Sequence, residues 1–195
     1  MPCALNQTSR KHQHFMNITR TTIKDVLIFE PKVFGDHRGY FMETWRKSEM
    51  EKCGVVDEFV QDNQSRSQQN TLRGLHYQLK YPQGKLVRVL WGKIFDVAVD
   101  LRKNSDTFGQ WVGVILSDEN RKQLWVPGGF AHGFYVLSES AEIAYKCTEY
   151  YHPEEDRSLL WSDPDLAIDW PLLDDQPLLS EKDRTASPLS KATVY

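Results

Sequence analysis

Paired cysteines, long apolar runs, basic blocks and a sustained helical period are all missing from this chain, and each absence narrows what it can be. Its three cysteines, Cys3, Cys53 and Cys147, are odd in number and far apart. They supply neither a disulfide framework nor a CxxC pair for zinc or redox work, which fits a reduced, cytoplasmic setting. No apolar stretch approaches the ~20 residues of a membrane span, and the polar start around Asn6, Gln7, Ser9, Arg10 and Lys11 lacks the apolar segment of a signal peptide, so no membrane partner is expected. A net charge of −3 without a long Lys/Arg block leaves no footprint for nucleic acid. What is plentiful is aromatic, 12% of residues against an ordinary charged fraction of 26%, a balance that excludes disorder and coiled coils. The length of 195 residues suits one domain with one core.

Residues 1–15 have no periodic apolar pattern and read as a disordered extension, leaving 16–195 as a single domain. Thr21 to Phe34 reads as two short strands and Tyr40 to Trp45 as another. Ser48 with Glu51 forms a capping-box pattern and Gly54 suits a C′ position, which together predict a short helix over Ser48–Cys53. From Glu58 to Lys146 strand follows strand: Phe59 to Asn63, a polar loop over 64–70, then Leu72–Gln78, Leu86–Trp91, Ile94–Asp100, Trp111–Leu116, Gln123–Val126, Phe134–Leu137 and Ala141–Cys147. Many short strands separated by turns predict an all-β sandwich or barrel. The tail from Tyr150 has too many prolines for a long helix and too many apolar residues, among them Leu159, Trp161, Leu166 and Trp170, for a free linker. It is expected to wrap over the β structure.

The richest stretch is Leu72-Arg73-Gly74-Leu75-His76-Tyr77-Gln78. Strand alternation points Arg73, Leu75 and Tyr77 one way and Leu72, Gly74, His76 and Gln78 the other. Gln83, Lys85 and Arg88 follow closely, and Pro127 to Gly133 supplies a second histidine, His132, in a glycine-rich turn where backbone can approach a ligand closely. The spacing Pro127-x-Gly129-x-x-His132 resembles the second half-motif of the cupins, double-sheet jelly rolls whose first half-motif supplies HxH and a carboxylate to a metal. Here the first half offers only His76-Tyr77-Gln78, and an amide replaces the second imidazole, so no metal is predicted. Arg38 and Arg73 stand beside glycines in positions suited to bidentate oxyanion recognition, and with Lys85, Arg88 and Lys182 they point to a phosphorylated substrate. Tyr145 alternates onto the face of Ala141 and Ile143, which leaves both burial and proton donation open.

Eight strings, taken in order, narrow the reading: Phe34 to Gly39, Gln61-Asp62-Asn63, Leu72 to Gln78, Gln83 to Arg88, Phe95 to Arg102, Gln123 to Pro127, Phe130 to Phe134 and Leu179 to Asp183. In order and spacing the chain resembles the dTDP-4-dehydrorhamnose 3,5-epimerases from Met16 to about Leu189. The resemblance implies a cupin-like, all-β jelly roll with a few short helices, a homodimer, a dTDP-sugar substrate and no cofactor. It implies proton exchange at carbons 3 and 5 beside the C4 ketone of dTDP-4-dehydro-6-deoxyglucose. His76 matches the base, Asp183 its carboxylate partner, Tyr145 the proton donor on the opposite face, and Lys85 the cation facing the enolate oxygen. Arg38, Glu43, Gln61, Asn63, Arg73, His132 and Lys182 match nucleotide-sugar positions, and Phe34, Phe41 and Tyr151 the stack around the thymine. Asp156 stands where the family often has Glu. Abstraction of a carbon-bound proton near pH 7 asks for an imidazole held in one tautomer, and the developing enolate asks for a preorganised positive charge. A single-site epimerase, a metal-dependent cupin enzyme and a non-catalytic nucleotide-sugar-binding jelly roll are the alternatives.

Overall fold

A computed structural model describes residues 15–195. The expected extension therefore falls almost wholly outside the described residues. Its last residue, Phe15, is docked: its carbonyl accepts from Lys32 N–H at 2.8 Å and Arg46 lies over its ring.

Thirteen strands alternate along the described chain with little helix. A six-stranded antiparallel sheet runs in the order β1 (Met16–Arg20), β2 (Leu27–Pro31), β10 (Gln123–Val126), β7 (Lys85–Trp91), β12 (Ser140–Cys147), β5 (Gln61–Gln68). The second sheet has five strands in the order β13 (Asp156–Ser158), β6 (Leu72–Gln78), β11 (Phe130–Val136), β8 (Lys93–Asp100), β9 (Trp111–Ser117). The remaining pair, β3 (Val33–Asp36) and β4 (Gly39–Met42), is a separate hairpin with nearly every residue exposed. This is the all-β, jelly-roll-like architecture expected from the strand pattern.

Three apolar layers hold it. Between the sheets lie Val87, Val89, Leu124, Ala141 and Ile143 from one side and Ile94, Ala98, Val112, Phe130 and Phe134 from the other. Outside the five-stranded sheet, Leu72, Leu75, Val97, Val99 and Tyr135 pack against Leu159, Leu166, Trp170 and Val194 of the tail, so the tail wraps as expected. Both faces of that sheet are consequently buried, which is why β8 carries apolar side chains at consecutive positions. Outside the six-stranded sheet, Leu27, Phe29, Leu86 and Trp125 pack against Met50 and Val55. Met50 comes from α1 (Lys47–Lys52), which starts one residue earlier than expected. Its N-cap is Arg46 with no side-chain cap bond, so the Ser48 capping box does not form. The C-terminal expectation holds: Gly54 has φ of +96°, and Val55 N–H to Met50 O with Gly54 N–H to Glu51 O close a Schellman motif.

Three further expectations are corrected. The segment 64–70 is a strand through Gln68, because β5 is an edge strand whose backbone is satisfied on one side by β12, and its polar side chains face solvent and cavity. The two strands expected within Thr21 to Phe34 are β2 and the start of β3, and β1 precedes them. His132 lies inside β11 rather than in a turn, which ends at Gly129 with φ of +91°.

Candidate active site

The strand β6 brings the central imidazole to the cavity, though not by simple alternation. Leu72 packs in the outer layer with Leu75 and Tyr77, while Arg73 turns inward and donates to Ser67 Oγ of the six-stranded sheet at 3.0 Å. The register against β11 slips by one between the His76–His132 and Arg73–Phe134 pairs, and this bulge reverses the alternation between Leu72 and Leu75. Gly74 makes the slip possible: a Cβ there would stand 2.5 Å from Gly133 Cα.

His76 opens onto a cavity of about 390 Å³ between the two sheets, lined by Gln61, Asn63, Lys85 and Tyr145 of the six-stranded sheet and by His76, Tyr77 and Gln78 of β6, with Gln83, Tyr151, Asp156 and Lys182 around them. Its Nε2 lies 2.5 Å from Asp183 Oδ1. Asp183 is held by its own surroundings: Ser180 caps α2 (Glu181–Arg184) by accepting from Asp183 N–H, and Ser180 Oγ donates to Asp183 Oδ2 at 2.8 Å. Burial alone would raise the Asp183 carboxyl. The hydrogen bond and charge of His76, joined by Ser180 and the backbone of Gly74, overcome it and hold the group below the usual carboxylate range. The pattern Ser180-x-x-Asp183 is an N-cap signature visible in the sequence, yet Ser180 was not among the expected site residues.

Lys85 makes no ion pair among the described residues. Burial lowers its pKa, opposed by Cys147, Asp156 and Asp96. Tyr145 faces the cavity from β12 while packing against the inter-sheet core, so the two readings of it meet in one position. Burial and Cys147 push its phenol up, whereas Arg73 and the neighbouring Asn63 amide act the other way. Lys182 pairs with Asp156 Oδ2, which also accepts from Tyr151 Oη at 2.9 Å. Gln78 is committed to backbone, donating to Tyr81 O and Tyr150 O and accepting from His152 N–H. Among the described residues no group of three or more His, Cys, Asp or Glu side chains is arranged to hold a metal.

The structure does not bring every expected residue to this cavity. His132 lies one strand away, buried, with Nε2 2.8 Å from Asp96 Oδ1. Asp96 was missed; two acids alternating with Phe95, Val97 and Val99 on an interior strand were its signal. Phe34, Phe41 and Arg38 sit on the exposed β3–β4 hairpin, Phe41 at 68% exposure, with Arg38 paired to Asp36. Glu43, just beyond, pairs with Arg46. Arg88 lies on the opposite side of β7 from the inter-sheet core, beside Thr44, Trp45 and Gln123.

A sequence profile of the dTDP-4-dehydrorhamnose 3,5-epimerases matches residues 20–191. The chain is 56% identical over 181 residues to the enzyme of that name from Pseudomonas aeruginosa, covering 92% of this chain and 99% of the relative. It is 59% identical over 158 residues to the one from Escherichia coli, covering 80% and 85%. The crystal structure of the 3,5-epimerase RmlC from Legionella pneumophila, in complex with dTDP-4-keto-L-rhamnose, superposes with a TM-score of 0.89 at 58% identity, covering 91% of this chain and 95% of that one. With an imidazole–carboxylate pair, a lysine and a phenol converging on the cavity of a jelly roll, the chain belongs to the dTDP-4-dehydrorhamnose 3,5-epimerase family of isomerases.

Proposed function

We propose that the cavity epimerises dTDP-4-dehydro-6-deoxyglucose at C3 and C5 by cofactor-free proton abstraction and return. The observation that carries this is convergence from opposed sheets: His76 on β6 faces the same cavity as Lys85 and Tyr145 on β7 and β12. His76, steadied by Asp183, removes the proton next to the ketone. Lys85 sits where positive charge is placed to meet the enolate oxygen, and among the described residues it forms no ion pair that would hold its ammonium away from the cavity. Tyr145 returns a proton to the other face, which inverts the carbon. Lys182, Tyr151 and Asp156 at the rim, with Gln61 and Asn63 on the wall and Arg73 on the same strand as His76, take up the nucleotide-sugar, whereas His132 is too deep to share the nucleotide role that the resemblance gives it.

The hairpin enters the same proposal. Phe34, Phe41 and Arg38 are exposed on a two-stranded ribbon outside the described cavity, where they cannot stack on a thymine held by their own chain. A cytoplasmic homodimer, in which this ribbon caps the partner's cavity, gives these side chains and Glu43 the nucleotide role that the resemblance assigns them. The reading is tested with dTDP-4-dehydro-6-deoxyglucose in deuterated water, following by NMR which carbons take up deuterium. Deuterium at C3 and C5 with inverted product is expected; deuterium at one carbon only would make the chain a single-site epimerase, and none at either would sink the proposal.

A further inference from the structure

Gln61 and Asn63 lie on the cavity side of β5, with Asp62 between them turned outward to Lys146. Their amides form a chain whose direction is set at one end. The backbone N–H of Tyr151 can only donate, so the Gln61 oxygen that receives it at 2.9 Å is identified, and Gln61 Nε2 faces the other way, donating to Asn63 Oδ1 at 3.1 Å. Asn63 is thereby left with its NH2 toward the neighbouring strand. One hydrogen goes to Cys147 Sγ at 3.6 Å, and Tyr145, the cross-strand partner of Asn63, stands beside the same amide, which acts to lower its phenol. With its oxygen taken by Gln61, Asn63 presents its NH2 rather than its carbonyl to the side on which Tyr145 lies. Its own proton is not taken up by the wall and stays available to the cavity.

We infer that Gln61 and Asn63 are positioning residues for the proton donor, acting as an amide relay, anchored on the Tyr151 backbone and steadied by Cys147, that keeps the Tyr145 hydroxyl proton aimed at the substrate. The inference rests on the reading of Tyr145 as the donor. In the step it serves, the O–H bond breaks, the proton forms the new C–H bond, and the electron pair remains on oxygen as a phenolate facing Asn63 NH2. A solvent proton later restores the phenol. The other ionisable groups around Tyr145 are Arg73 and His76 from β6, Lys85 from β7, Cys147 on its own strand, and Tyr151, Asp156 and Lys182 across the cavity. None of them sets the direction of the Asn63 amide.

The test uses two nearly isosteric changes in the full chain. Asn63→Asp replaces the donor facing Tyr145 with an acceptor. Gln61→Glu acts one residue away from the phenol, at the side chain bonded to Tyr151 N–H and Asn63; having no N–H to give, it turns the Asn63 amide around and presents Asn63 Oδ1 to the Tyr145 side. The Tyr145 titration is followed by ring-13C tyrosine NMR, assigned against Tyr145→Phe, and deuterium washout is compared with inversion in one time course. Both variants are expected to raise the Tyr145 midpoint and to lower inversion about tenfold more than washout, a partial loss of the roughly 10²–10⁴-fold that a general acid contributes. Wild-type midpoints in both variants would overturn the relay. So would a raised KM with washout and inversion falling together, the signature of amides that only bind substrate. If Asn63→Asp fails to fold, Gln61→Glu still decides the matter, since it leaves the residue touching the phenol unchanged. Normal inversion in Tyr145→Phe would remove the donor reading alone, and the midpoint shifts would still decide the relay.

Discussion

His76 and His132 face each other across β6 and β11, and each places Nε2 on an aspartate, yet the two pairs differ in depth. The His76 side chain is 32% exposed and its ring borders the cavity; that of His132 is 8% exposed and Asp96 behind it fully buried. An imidazole can exchange protons with a ligand only if it reaches both ligand and water. Accessibility thus suits the first pair to the proposed role of base and leaves the second as a buried link between strands, although the residue types are the same.

Substitutions at the two histidines sharpen that contrast. His76→Asn should lower turnover by roughly 10²–10⁴-fold, the usual weight of a general base, with the melting temperature little changed; NMR washout and thermal unfolding check both. Near-normal deuterium uptake in this variant would mean that the exposed pair is not the base. His132→Asn should do the reverse. By leaving Asp96 buried without its partner it should destabilise the fold by about 3–5 kcal/mol, the typical loss when one member of a buried pair is removed. Turnover per folded molecule should fall far less than in His76→Asn, and urea unfolding combined with active-site-normalised rates separates the effects.

Acidification probes the carboxylate behind His76. The Asp183 carboxyl is held below the 3.8 of an ordinary aspartate, so the unfolded chain binds its proton first as the pH falls. The stabilisation it supplies is fully present above pH 3.8 and is lost as the pH drops through the lower folded-state value. Asp183→Asn should therefore flatten the acid limb of a stability-against-pH curve measured by urea unfolding. An unchanged acid limb would mean that the interaction does not stabilise the fold.

A second contrast, between Lys85 and Arg88 on one strand, sets a large expected effect against the smallest one. Both looked like substrate cations in sequence, but only Lys85 reaches the inter-sheet cavity. Lys85→Met should nearly abolish turnover, whereas Arg88→Ala should change kcat/KM by less than about twofold, as surface substitutions away from a site usually do. Exhaustive chelation is expected to leave the rate of the unmodified enzyme unchanged, and dependence on an added divalent metal would favour a metal-cupin mechanism.

Much of this was legible in the chain. Period-two alternation marked most strands and put Tyr145 on an inward face, and the short strings that carry the family resemblance contain His76, Lys85 and Asp183. The polar strand β5 escaped because edge pairing, rather than an apolar face, stabilises it. The reversed alternation in β6 escaped because a bulge is a property of two strands together. The linear sequence determined which chemical groups the protein has and roughly which segments are strands, since backbone preference and side-chain period act over a few residues. Only the tertiary structure decided that Asp183 meets His76 from 107 positions away, that Arg88 turns to the reverse face and that His132 lies too deep for the cavity. Depth and partnership arise from the packing of distant segments, and no local pattern encodes them.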